Sequence, residues 1–220
     1  MKKVCIIMVL VIIFGLSHGA VSSAEDMEVV GNVTYNTFDL TVSTEEGDFV
    51  NSYPDDLESG FGFQGGIRYW INSMFGFEGG LDYAGSSTSG TIYNFFEEDE
   101  YLDVNISLSI LGPYGRGVFK LTDNINIMGG LAYYFGTDEL NFINIAYDRE
   151  VKGASLGGLF GAEFVSPVAE NIEITGGLNY RIVDMPWEEI EVNTESGDID
   201  EEVSTNMSGL NIKIGISYLF

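Results

Sequence analysis

The 220-residue chain has one cysteine, one histidine and only nine lysines and arginines against 34 acids. Cys5 and His18 both lie within the first 24 residues, so residues 25–220 carry neither. That excludes disulfides and thiol chemistry from most of the chain. It also removes the side chain that most often activates serine or water near neutral pH, which argues against a hydrolase of the Ser–His or Asp–His kind. The shortage of bases is as informative. Lys2 and Lys3 fall in the same leading segment, which leaves 34 acids against seven bases and a net charge of −27 over residues 25–220. Such a polyanion repels phosphates, so no nucleic-acid partner is expected. Nor does any apolar run after Ala24 approach the ~18 residues of a membrane-spanning helix. A membrane contact by this part of the chain must therefore use β-structure.

The leading segment has its own plan. Lys2 and Lys3 precede an uncharged apolar run over residues 4–16, and Ser22-Ser23-Ala24 supplies small residues. Positive charge, a short apolar run and a small-residue site describe a cleaved secretory signal peptide. We expect residues 1–24 to be the leader and 25–220 one β-barrel domain. Cys5 stands near the start of the apolar run, so lipoprotein modification is not expected.

What remains alternates. With a period of two, residues 25–220 fall into eight segments. The first covers about 29–42. The second sets Phe61, Phe63, Ile67, Tyr69 and Ile71 against Gln64, Arg68, Trp70 and Asn72. The third sets Phe75, Phe77, Leu81 and Tyr83 against Glu78 and Asp82. In the fourth, Leu102, Val104, Ile106, Leu108 and Ile110 alternate with Asp103, Asn105, Ser107 and Ser109. The fifth (125–135), sixth (154–165) and seventh (172–182) behave alike, and the eighth is the tail NIKIGISYLF. One face is aliphatic and aromatic. The other mixes Gly, Ser, Asn and Thr with isolated charges and nearly lacks lysine, an odd surface for water but suited to a crowded bore. The expected fold is all-β, an eight-stranded antiparallel up-and-down transmembrane β-barrel with its apolar face toward lipid.

Connections support that plan. Short links at 72–74, 121–124 and 166–171 alternate with long ones at 43–59, 86–100, 137–152 and 184–206. The long links hold 23 of the 34 acids and only Arg149 and Lys152 as bases, so charge gathers on one rim. Four glycine pairs, Gly65-Gly66, Gly79-Gly80, Gly129-Gly130 and Gly176-Gly177, are each followed, past two intervening residues, by Tyr69, Tyr83, Tyr133 or Tyr180. Glycine inside strands marks coiling or close backbone approach, and the tyrosines suit an interfacial aromatic girdle.

With these features the chain resembles the small outer-membrane β-barrel proteins of the OmpA/OmpX type, barrel domain only. The resemblance implies residence in the outer membrane of a diderm bacterium. It also implies that Ile212, Ile214, Ile216, Tyr218 and Phe220 form the signal read by periplasmic chaperones and the barrel-assembly machinery. Outer-membrane lipid is then a partner, a monomer is expected, and no cofactor or catalytic residue is implied.

Candidate sites follow from charge inside the bore. If the first short turn centres on Ser73, Arg68 faces Glu78, Tyr69 faces Phe77 and Gln64 faces Asp82. The expected role is a lumen ion pair that neutralises buried charge; the alternative is a proton or ion relay. Arg181 and Lys213 are expected to compensate Glu163, Glu173 and Asp103. In the long links, Phe95, Phe96 and Trp187 adjoin acids and are candidates for recognition or for loop packing. Asp198, Asp200, Glu201 and Glu202 offer hard oxygens to a divalent cation, or form a solvated acidic loop. High-salt adaptation is a third source of the acidity. The functional expectation is a non-catalytic barrel serving envelope integrity or surface interaction and adhesion. A narrow, porin-like ion channel and a secreted lipocalin-like binder of an apolar ligand are the alternatives.

Overall fold

The computed structural model describes residues 27–44, 47–50, 55–93, 101–142, 148–192, 195–198 and 203–220. In chain order the strands are β1 (Met27–Thr37), β2 (Asp39–Thr44), β3 (Gly47–Val50), β4 (Ser59–Trp70), β5 (Phe75–Tyr93), β6 (Tyr101–Thr122), β7 (Ile125–Phe142), β8 (Asp148–Ala169), β9 (Ile172–Ile182), β10 (Asp184–Val192), β11 (Glu195–Asp198) and β12 (Val203–Leu219). Eight of them, β1, β4 to β9 and β12, pair antiparallel in a closed ring. β12 seals the ring against β1, from Glu28↔Leu219 to Asn36↔Asn211. Closure leaves no unpaired strand edge within the ring, which is what a β-structure needs in hydrocarbon.

The side chains alternate about this wall. Leu178 and Ile214 point outward, 51% and 66% exposed, and so do Phe61, Phe77, Leu131, Phe160 and Ile174. Gln64, Arg68, Glu78, Asp82, Asn179, Arg181 and Lys213 point inward and are buried. The apolar face is therefore on the outside. β9 has 11 residues, matching the 9–11 of a tilted strand crossing a membrane. β6 and β8 have 22 residues each, so they continue well past any such belt at the end opposite the short turns.

That extension corrects two sequence expectations. Among the described residues, the long links at 43–59, 86–100, 137–152 and 184–206 are largely strand. β2 continues the line of β1 and pairs with β12, while β10 continues β9 and pairs with β8 and β12. The second correction concerns the fourth segment. Val104, Leu108 and Ile110 are buried inside the barrel at 1% exposure, with Ile106 packed against the cluster that holds Leu108 and Ile110, whereas Asn105 is exposed outside. Beyond the apolar belt the outer wall meets water and must be polar, and the bore must still be filled. Alternation specifies which residues share a face, and the surroundings decide which face turns inward.

Candidate functional site

The bore contains two layers of different chemistry. The lower layer, nearer the short turns, is built on one register rank, in which Glu28, Arg68, Glu78 and Arg116 stand side by side on β1, β4, β5 and β6. Charges alternate along that rank. Arg68 sits at its centre, with Nη2 donating to Glu78 Oε2 at 2.8 Å and Nη1 to Glu28 Oε2 at 3.2 Å. The same Nη2 reaches across the bore to Glu163 Oε1 on β8 at 2.7 Å. Glu78 also accepts from Arg116 and from the Tyr114 hydroxyl, and Lys213 donates to Glu163 at 2.6 Å. One step outward, Asp82 accepts from Tyr134 at 2.7 Å and lies 3.4 Å from Arg181. Four carboxylates thus meet four cations, Arg68, Arg116, Arg181 and Lys213. Pairing of this kind is what makes buried charge tolerable.

Above it the bore turns apolar. Arg181 lies over the rings of Phe38 and Tyr134, at 5.3 and 5.7 Å, and marks the boundary. Leu40, Leu108, Ile110, Leu159, Val183, Met185, Trp187 and Met207 fill the outer end. The 3-10 turn Asp55–Glu58 adds Leu57, which is fully buried in the same cluster. At the opposite mouth, Trp70 donates to Glu28 and lies beneath Lys120, whose Nζ is 4.6 Å from the ring centre.

The glycine pairs make room for the charges. The second glycine of each pair points into the bore. A Cβ on Gly177 would lie 3.0 Å from Lys213 Cε, on the path by which that side chain reaches Glu163. One on Gly130 would lie 2.5 Å from Arg116 Cα.

Arg68 faces Glu78, Tyr69 faces Phe77 and Gln64 faces Asp82 in register. Lys213 meets Glu163. Arg181 corrects the expectation: its partner is Asp82, while Glu173 accepts from Ser217 and Asp103 is exposed on the outer wall. Trp187 is a second correction. It is 6% exposed, and its Nε1 donates to Thr205 Oγ1 at 2.9 Å. Strand β10 keeps the inward parity of Val183 and Met185, so Trp187 belongs to the core and not to a recognition surface. Phe95, Phe96, Asp200, Glu201 and Glu202 lie outside the described residues, as does the side chain of Asp198. Ile212, Ile214, Ile216, Tyr218 and Phe220 form an exposed outward row on and just after β12. Sequence reasoning missed Glu28, Arg116, Tyr114 and Tyr134. Period two continued from Asn126 and Ala132 marks Tyr134 as inward. Tyr114 and Arg116 share the parity of Leu108 and Ile110, which alternation alone does not assign to the bore.

The model of the outer membrane protein beta-barrel domain family matches residues 6–220. The chain belongs to that family. This outer-membrane barrel shares its fold with OprG of Pseudomonas aeruginosa, at 14% identity over 89% of this chain and 96% of that one, with a TM-score of 0.56. It is similar in the same way to a major outer membrane protein of Thermus thermophilus, at 12% identity over 88% and 99% of the two chains, with a TM-score of 0.57. No curated protein sequence matches it. In an outer-membrane barrel the short turns lie on the periplasmic side and the long hairpins outside. The charged layer of the bore is then at membrane depth, and the apolar layer stands toward the exterior.

Proposed function

We propose that this protein is a non-catalytic, non-conducting outer-membrane barrel whose acidic external rim serves envelope integrity or surface contact. One observation carries the reading: the bore is filled. An eight-stranded ring has an interior just wide enough for side chains. Here ion pairs occupy the lower part and an apolar cluster closes the upper, so a hydrated path would have to break both. Lumen carboxylates also have no route to a substrate, because Glu78 and Glu163 are 2% and 1% exposed. The rim is different. Arg149 pairs with Asp138 at 3.4 Å and Lys152 with Glu150 at 3.0 Å, so its two bases are already engaged by acids. The excess acid there favours cationic partners or bridging divalent cations. The proposal includes a leader at residues 1–24 and insertion by assembly machinery reading the outward row Ile212, Ile214, Ile216, Tyr218 and Phe220.

One preparation tests this. Barrel purified from outer membranes should start at Glu25, behave as a monomer, and give no conductance steps in planar bilayers. Reproducible unit steps from the wild-type chain would establish the ion-channel alternative instead.

A further inference from the structure

The outer wall is not smooth. In one register rank, Phe77 on β5, Gly117 on β6, Gly129 on β7 and Phe160 on β8 stand side by side and all face outward. Two phenylalanines thus wall a trough floored by two glycines, the rank spanning about 14 Å at ordinary strand spacing. The trough is a groove of about 690 Å³ that runs down to Asn72 in the turn between β4 and β5. Its lining is otherwise apolar and aromatic, with Phe119 at the turn side of the glycines.

We infer that this groove holds one acyl chain of a glycerophospholipid from the periplasmic leaflet, as a resident lipid. The groove is continuous with the belt that faces hydrocarbon, so its occupant comes from the membrane. Hydrocarbon gives no hydrophobic drive between apolar surfaces, and packing decides what associates. An indentation left empty forfeits dispersion contacts along its whole lining, and a flexible chain laid along the glycine floor restores them. A second barrel is a poor fit, because two convex walls touch along a line and leave the trough unfilled. The polar end agrees as well. Asn72 lies at the periplasmic turn, level with headgroups, and from there a chain runs inward past Phe119 to Gly117 and Gly129.

Two glycines make the test clean. A Cβ on Gly117 would come no closer than 3.8 Å to any neighbour, and one on outward-facing Gly31 would meet nothing within 4 Å. Substitution at either site leaves the wall intact, but only Gly117→Leu fills the groove. Native mass spectrometry of barrels extracted in mild detergent should show one retained phospholipid on wild type and on Gly31→Leu. Gly117→Leu should reduce retention about tenfold. If Gly117→Leu fails to assemble, Phe160→Ala, which removes one wall, should show the same loss. Equal retention by wild type, Gly31→Leu and the groove variant would overturn the proposal. So would a wild type that holds no phospholipid, or one that holds a second copy of the chain released by Gly117→Leu.

Discussion

Arg68 shows how much one side chain carries. Its guanidinium serves Glu28, Glu78 and Glu163 from three other strands, so its removal strands carboxylates that cannot reach water. Breaking a buried ion pair by deleting one partner costs about 3–5 kcal/mol. Arg68→Ala should lose about that much in urea unfolding followed by heat-modifiable gel mobility. Arg68→Lys keeps the charge without the planar fork, so it should fall between. A loss below about 1 kcal/mol for Arg68→Ala would mean the three carboxylates are not held by this residue. The opposition of Arg68 and Glu78 was legible because it needed only the centre of one short turn. The partner of Arg181 was not, since Asp82 reaches it across the bore from a strand 99 residues away. Closure in three dimensions, not local spacing, makes that pair.

At the scale of elements, β6 is the instructive strand. Its even-numbered residues face inward throughout, from Val104 to Val118, yet its outward face changes midway, from Asn105 and Ser107 to Leu111. Leu108 and Ile110 are buried in the bore, while Leu111 is exposed outside. The exchange occurs at the adjacent pair Ile110-Leu111, and Ile182-Val183 repeats it at the end of β9, with Ile182 outside and Val183 inside. On β6 and β9 these adjacent pairs mark where the membrane belt ends and the filled outer bore begins. Read without that mark, the fourth segment looked lipid-facing along its whole length. The two leucines make the difference measurable. Leu108→Ala should cost about 2–5 kcal/mol, because it leaves a cavity in packed protein. Leu111→Ala should cost much less, since lipid flows into the vacated space. Equal losses in equilibrium unfolding would contradict the assignment of one leucine to the core and the other to the belt.

For the whole molecule, the alternating lengths of the links, the outward apolar face and the count of eight were all readable from the chain. Those features follow from local periodicity and turn spacing. The outer layer of the bore was not readable, because the long links look like loops when acids and small residues interrupt the pattern. Among the described residues they are largely strand extensions; Met185 and Trp187 turn inward from β10, and Leu57 from the 3-10 turn, to close the barrel. A lipocalin-like binder needs its apolar face around a ligand, and Leu178 and Ile214 lie on the outside. The wall thus changes surroundings along its height, around an interior lined by buried ion pairs and an apolar cluster. Three single cysteines on β6 test this most directly, introduced at Ser107, Leu108 and Leu111 of the assembled barrel in lipid. Ser107→Cys should react with an aqueous maleimide, a fluorophore on Leu111→Cys should be quenched by brominated acyl chains, and Leu108→Cys should react with no aqueous reagent. Labelling of Leu108→Cys from water, or of Leu111→Cys from water in place of lipid quenching, would contradict the account.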